Sequence, residues 1–233
     1  DLEKIISDRT RLLIINSPQN PTGGVLTQSD LEAISELAIK HDFYVLSDEI
    51  YSQLVYDGDH QSILSIDGMQ ERTIMLDGHS KSYAMTGWRL GYSVSPKLIA
   101  DQFAKLMVNF NSCTATFTQI AGIEAIQNSQ DFVSQMWLEF KTRRDFLVKG
   151  LNEIDGISCK IPSGAFYTFP NVTGIPMTCA EFSDYLLTEA GVALLPGSSF
   201  GIFGDGYLRI SYANSIDNIQ EALVRINKGI SEI

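Results

Sequence analysis

The stretch His79-Ser80-Lys81-Ser82-Tyr83-Ala84-Met85-Thr86-Gly87-Trp88-Arg89-Leu90-Gly91 places one lysine among small and hydroxylated neighbours, with an arginine eight positions on. A lysine meant for solvation sits on a polar face. Lys81 is instead followed by Gly87-Trp88-Arg89-Leu90-Gly91-Tyr92, which reads as a turn entering a buried strand. That setting suits an amine kept for chemistry, such as a Schiff base to a carbonyl carbon. Taken alone, the plainer reading is the stronger one: a helix-end lysine beside a structural arginine.

Two signals upstream change the balance. The apolar run Leu12 to Ile15 closes at Asn16-Ser17-Pro18-Gln19-Asn20-Pro21-Thr22-Gly23-Gly24, a dense set of turn residues. The run Phe43 to Leu46 closes at Ser47-Asp48-Glu49-Ile50-Tyr51, and Thr73-Ile74-Met75-Leu76 delivers Gly78 through Lys81. Each run reads as a buried parallel strand, and open α/β sheets collect their ligands at the carboxyl ends of such strands. Three strand ends thus carry Asn20, Asp48 with Tyr51, and Lys81. Each residue also has a structural reading. Asp48 suits the N-cap of a short helix. Tyr51, three residues on, shares one side of a helical turn starting there, and also suits a half-buried place among Ile50, Leu54, Val55 and Tyr56. Asn20 precedes Pro21, which biases it to an extended turn conformation. Arg209 lies in the strand-like alternation Gly206 to Tyr212 and reads equally as a strand arginine facing solvent.

With 233 residues, 44% hydrophobic and 19% charged, the chain is long enough for one large or two small domains with a real core. A net charge of −11 argues against a nucleic-acid or anionic-membrane surface. No run of 18 apolar residues occurs, so no membrane-spanning helix is expected. Cys113, Cys159 and Cys179 are odd in number and form no CxxC pair, which reads as reduced thiols in a cytosolic compartment. His41, His60 and His79 make no metal-ligand cluster.

The first part alternates strands and helices. Thr27 with Asp30 forms a capping-box-like start, followed by the stripe Leu31, Ile34, Leu37 and Ala38. Strands are expected near 43–47, 72–76 and 90–94, and helices near 97–109 and 116–127. This βαβ alternation argues a parallel-rich sheet. A long helix from about Asp131 towards Asn152 suits a bridge between two domains, or one long surface helix. Beyond it the pattern becomes α+β, with strands near 157–160, 164–169, 192–195 and 207–212 and helices near 179–190 and 215–231.

Read in order, SPQNPTG (17–23), SDEIY (47–51), SKSYAMTGWRLGY (80–92), GAFY (164–167), LLPGSSFG (194–201) and YLRISYA (207–213) resemble the class I, aspartate-aminotransferase-like enzymes of pyridoxal phosphate (PLP) fold type I. The resemblance implies an α/β chain, the C-terminal part of a fold type I PLP enzyme, with a partial parallel-rich sheet and helices plus a smaller α+β domain. Residues 1–134 would be part of the large PLP-binding domain, and residues 135–233 the small C-terminal domain. The implied activity moves an amino group between an amino acid and a 2-oxo acid through a Lys81 aldimine. Lys81 would also carry the proton between the substrate Cα and the cofactor. Asp48 would face the ring nitrogen. Tyr51 and Asn20 would face the 3′ oxygen, with Asn20 also reaching the substrate carboxylate. Arg89 would clamp the phosphate with help from Ser80, and Arg209 would bind the α-carboxylate. Gly78 and His79 depart from the family pattern, which favours serine at the first position and an apolar or small residue at the second.

The same constellation serves a β-lyase or related elimination enzyme, and a truncated, catalytically incomplete chain is a third reading. The chain opens at Asp1 without methionine and reaches Asn-Pro-Thr-Gly by residue 20, so an N-terminal section is expected to be missing. A cytoplasmic homodimer acting on amino acids and 2-oxo acids, with neither nucleic acid nor membrane as partner, completes the expectation.

Overall fold

The apolar runs that end at the named residues pair side by side. In a computed structural model describing Asp1–Ile233, a short helix α1 (Leu2–Ile5) leads into β1 (Leu12–Asn16), α2 (Gln28–Lys40), β2 (Tyr44–Asp48) and β3 (Thr73–Gly78). There follow α3 (His79–Ser82), β4 (Gly91–Val94), α4 (Lys97–Phe110) and α5 (Thr116–Gln127). The sheet order is β1-β2-β3-β4; the first three strands are parallel, and β4 is antiparallel to β3. Asn16 pairs with Asp48 and Asp48 with Leu76, so β1 and β2 end at one level and β3 runs two residues further, to Gly78. Lys81 follows that edge on α3.

These elements make up one unit, Asp1–Pro18 with Val25–Val133. The core expected behind α2 forms: Leu31 and Ala38 pack with Phe43, Val45, Ile63 and Met69. The capping box is present, with Thr27 Oγ1 accepting from the Asp30 amide and Asp30 accepting from the Thr27 amide. Those bonds to Thr27 hold the Asp30 carboxyl below the usual carboxylate range.

Two local expectations need correction. The strand after Arg89 is not buried: all four residues of β4 are exposed, with Tyr92 and Val94 each at 46%. As the last strand of the sheet, β4 has a hydrogen-bonding neighbour on one side only, and α4 places no residue in the core. After Asp48 the chain makes two tight turns rather than a helix, closed by Ser52 N–H to Glu49 O and Leu54 N–H to Tyr51 O, each 2.8 Å. Asp48 Oδ1 accepts from Ile50 N–H at 3.2 Å, so its side chain does take the local turn role that its alternative reading foresaw.

The second unit comprises Gln19–Gly24 and Ser134–Ile233. It holds most of α6 (Asp131–Asn152), then β5 (Tyr167–Thr168), α7 (Cys179–Thr188), β6 (Leu195–Pro196), β7 (Leu208–Ser211) and α8 (Ile216–Ser231). A three-stranded antiparallel sheet runs β5-β7-β6. Its strands are shorter than expected. The segment 157–160 contributes a single bridge, Ser158 to Asn171, and 164–169 is reduced to two residues. The strand near 192–195 becomes Leu195–Pro196. Pro162, Pro170 and Pro196 lack ladder donors, and Ala165 turns left-handed at φ 58°.

The turn at 19–24 belongs to this unit because its backbone docks there. Gly23 N–H donates to Gln19 O and Gln19 N–H to Gly24 O, both 2.8 Å, while Gly164 N–H donates to Gly23 O at 2.9 Å. Gly23 sits at φ +70°, and a Cβ there would lie 2.3 Å from Pro162 Cβ. Only glycine fits.

Candidate active site

In the first unit, Lys81 Nζ lies 5.8 Å from the centroid of the Tyr51 ring, a cation–π distance. Tyr51 is 3% exposed, held in the turn that follows Asp48. The Asp48 carbonyl accepts from Ser17 N–H (3.1 Å) and Asn16 Nδ2 (3.0 Å), which ties the ends of β1 and β2 together. Ser80 is half-buried between His79 and Lys81.

The neighbours of these residues carry chemistry that sequence reading passed over. Glu49 is buried and hydrogen-bonded throughout: Oε1 accepts from Ser47 Oγ at 2.9 Å and Ser62 Oγ at 2.8 Å, and Oε2 lies 2.8 Å from His60 Nε2. This clasp joins both ends of the loop that carries Tyr51. Asp77 accepts from the Gly78 amide (2.6 Å), and from Ser52 Oγ and Tyr92 Oη at 3.3 Å each. Burial pushes the Asp77 carboxyl up, against the opposing pull of those hydrogen bonds. Burial, followed by the charge of Asp77, pushes the Tyr92 phenol up to about 12.

Both departures from the family pattern acquire a physical setting. A Cβ at position 78 would lie 2.9 Å from both Gly91 Cα and Leu90 O, so the close approach of the two strand ends excludes serine. His79 is buried between the rings of Tyr83 (5.3 Å) and Tyr92 (6.1 Å), and neither ring nitrogen has a hydrogen-bond partner.

Arg89 is exposed, left-handed at φ 53°, and donates to Thr86 O at 2.9 Å. It lines a cleft of about 690 Å³ together with Trp88, Asn111, Thr114 and Thr118. Lys81, Asp48 and Tyr51 do not line that cleft. The structure groups Lys81 with Tyr51 and sets Asp48 at the shared strand edge, while Arg89 lines the cleft beside Trp88.

In the second unit, Arg209 Nη1 donates to Asn20 Oδ1 at 3.1 Å. The guanidinium carbon stands 4.7 Å from the Tyr167 ring centroid and 5.0 Å from that of Phe200. Arg209 Nε is buried without a partner. A flat cation stacked between two rings, with hydrogen-bonding capacity left over, is a ready receptor for a carboxylate. Sequence reading gave Tyr167 no chemical role. The aromatic residues in GAFY and SSFG were the available signal, yet their meeting on Arg209 is a tertiary contact.

Lys81, Asp48 and Tyr51 bring an amine, a carboxylate and a phenol to the first unit, chemistry that suits a ligand bearing an aldehyde, a basic ring nitrogen and a phenolic oxygen. An amine with a carboxylate for the ring nitrogen is the pairing by which proteins hold PLP.

Comparison with known proteins assigns the family. The family model for aminotransferase class I and II matches residues 1–226. Aromatic-amino-acid aminotransferase 2 of Thermococcus litoralis is 43% identical, covering 100% of this chain and 60% of that protein. The aspartate aminotransferase of Pyrococcus abyssi is 44% identical, with 100% and 60% covered. The crystal structure of an aromatic aminotransferase from Pyrococcus horikoshii superposes with a TM-score of 0.96 at 44% identity, over 99% of this chain and 62% of that one. The chain belongs to the class I and II aminotransferase family. It spans about 60% of the length of these relatives.

Proposed function

We propose that the protein carrying this chain is a PLP-dependent aminotransferase that exchanges amino groups between an amino acid and a 2-oxo acid. The observation that carries the reading is the Lys81 amine over the buried Tyr51 ring, at the carboxyl edge of the parallel strands where β2 closes at Asp48. When bound, PLP supplies an electron sink for the pair released at the substrate Cα. Lys81 Nζ would hold PLP through its carbonyl carbon, and the same amine would carry the proton from and to the substrate Cα. Asp48 would face the ring nitrogen and favour its protonated form. The Tyr51 phenol would face the ring oxygen, and Ser80 and Arg89 would hold the phosphate. Arg209 binds the α-carboxylate of both substrates, its plane set by Asn20 Oδ1 and the flanking rings of Tyr167 and Phe200.

The reading includes a homodimer working in the cytoplasm. Three cysteines without a disulfide support a reducing compartment, and the dimer rests on family membership.

The test uses the PLP-loaded protein with L-aspartate or L-phenylalanine as donor and 2-oxoglutarate as acceptor, following formation of glutamate. Arg209→Ala removes a charge partner and is expected to cost about 2–5 kcal/mol of transition-state binding. That is roughly 30-fold to several thousand-fold in kcat/KM. Pyruvate and ammonia released from one amino acid without an oxo acid would contradict amino transfer.

A further inference from the structure

Arg144 lies in the middle of α6 with 3% of its surface exposed. Charged side chains are almost never so deeply buried unless paired, because each loses several kcal/mol of hydration. Its Nε donates to Asp145 Oδ1 at 2.8 Å, but that carboxylate is 53% exposed. A surface ion pair does not require the rest of the guanidinium to be buried. The buried end donates from Nη1 to the carbonyl of Pro162 at 3.0 Å.

Pro162 opens the loop that runs to Tyr167, and this loop reaches the Arg209 receptor by two routes. Its Gly164 amide holds Gly23 O, and Pro162 itself presses on Gly23, so the turn bearing Asn20 is seated against it. At its far end, Tyr167 supplies one of the two rings over Arg209. Between them, Ala165 is left-handed at φ 58°, a conformation disfavoured for an L-residue. Tyr212 Oη, buried, steadies that residue by donating to Ala165 O at 3.0 Å. A backbone in a disfavoured conformation persists only where its surroundings hold it. Arg144 at one end and Tyr212 at the middle are two of the groups that do so.

We infer that Arg144 is a positioning residue for substrate-carboxylate binding. By fixing the Pro162 carbonyl, it sets the loop that places both Asn20 Oδ1 and the Tyr167 ring against Arg209. Bidentate binding of a carboxylate needs the guanidinium plane to be fixed before the ligand arrives. A buried arginine acting through a carbonyl supplies that rigidity from outside the receptor. The inference rests on Arg209 as the α-carboxylate partner.

Arg144→Met and Tyr212→Phe, in the PLP-loaded protein, test it with L-aspartate, L-phenylalanine and 2-oxoglutarate as probes. A misplacement of about 1 Å transmitted from a remote residue costs up to about 100-fold. Both variants are expected to raise KM for donor and acceptor in parallel, by about 10-fold or more, with kcat within a few-fold. The amount of PLP retained should stay unchanged, and Arg144→Lys should recover part of the loss. Tyr212→Phe removes one hydroxyl, so it remains informative if Arg144→Met does not fold. Lower thermal midpoints with KM unchanged in the variants that fold would overturn the inference and leave Arg144 a core residue only. Arg209→Lys separates the two levels. If that substitution leaves KM unaltered, the carboxylate reading itself fails. If it raises KM while Arg144→Met and Tyr212→Phe do not, only the positioning role fails.

Discussion

Asp77 carries the clearest single-residue consequence. Its carboxyl titrates above the ordinary value of 3.8, chiefly through burial. The folded protein therefore binds more protons than the unfolded chain between the two values, and stability falls as pH rises through that window. At neutral pH the ionised group carries its full penalty; below pH 3.8 both states are protonated and the penalty disappears. Asp77→Asn is expected to raise the thermal midpoint at pH 7, with the gain shrinking as the pH approaches 3.8. An equal shift at both pH values would contradict this account. Lys81, Asp48 and Tyr51 were legible as residues because each lies within a few positions of an apolar run that ends at the sheet edge. Glu49, Arg144 and the ring pair over Arg209 were not, because partners such as His60, Pro162 and Phe200 are brought in by the fold. Burial, rather than residue type, marks them out.

At the scale of elements, legibility followed the range of the interactions. The starts of α2 and α7 are encoded within four residues, by Thr27 with Asp30 and Thr178 with Glu181. The parallel strands announced themselves as short apolar runs. The strands of the second unit did not, since β5 and β6 are two residues each and are paired through β7. The tight element is the turn at 19–24. Gly23→Ala would set a methyl group 2.3 Å from Pro162 Cβ and 2.8 Å from Gly164 O, at a positive φ. A cost of at least about 2 kcal/mol is expected in urea unfolding, from overpacking and backbone strain together. Unfolding midpoints within error of the parent would show that the turn does not seat against the 162–167 loop.

At the scale of the whole molecule, exposed apolar side chains gather on two neighbouring helices in the chain. On the first unit, Leu98, Val108 and Phe110 of α4 are 69–80% exposed, and Phe117, Ile120 and Ile126 of α5 are 56–69% exposed. Faces of this kind mark association surfaces. The 25.8 kDa chain by itself is expected to self-associate in light scattering at micromolar concentration despite its net charge of −11. Phe117→Glu with Ile120→Lys should reduce that association. A monodisperse 25.8 kDa species would contradict it. Composition and charge had limited the class of partner, but which helices stay uncovered followed only from the sheet order and the packing around α2.

The central claim is that Lys81 is the amine that holds PLP. The direct measurement is borohydride reduction after incubation with PLP, followed by peptide mass mapping. The account predicts a reduced pyridoxyl group on Lys81 and none on surface lysines such as Lys105. Labelling spread evenly over the surface lysines, or concentrated on another lysine while Lys81 stays unmodified, would contradict it.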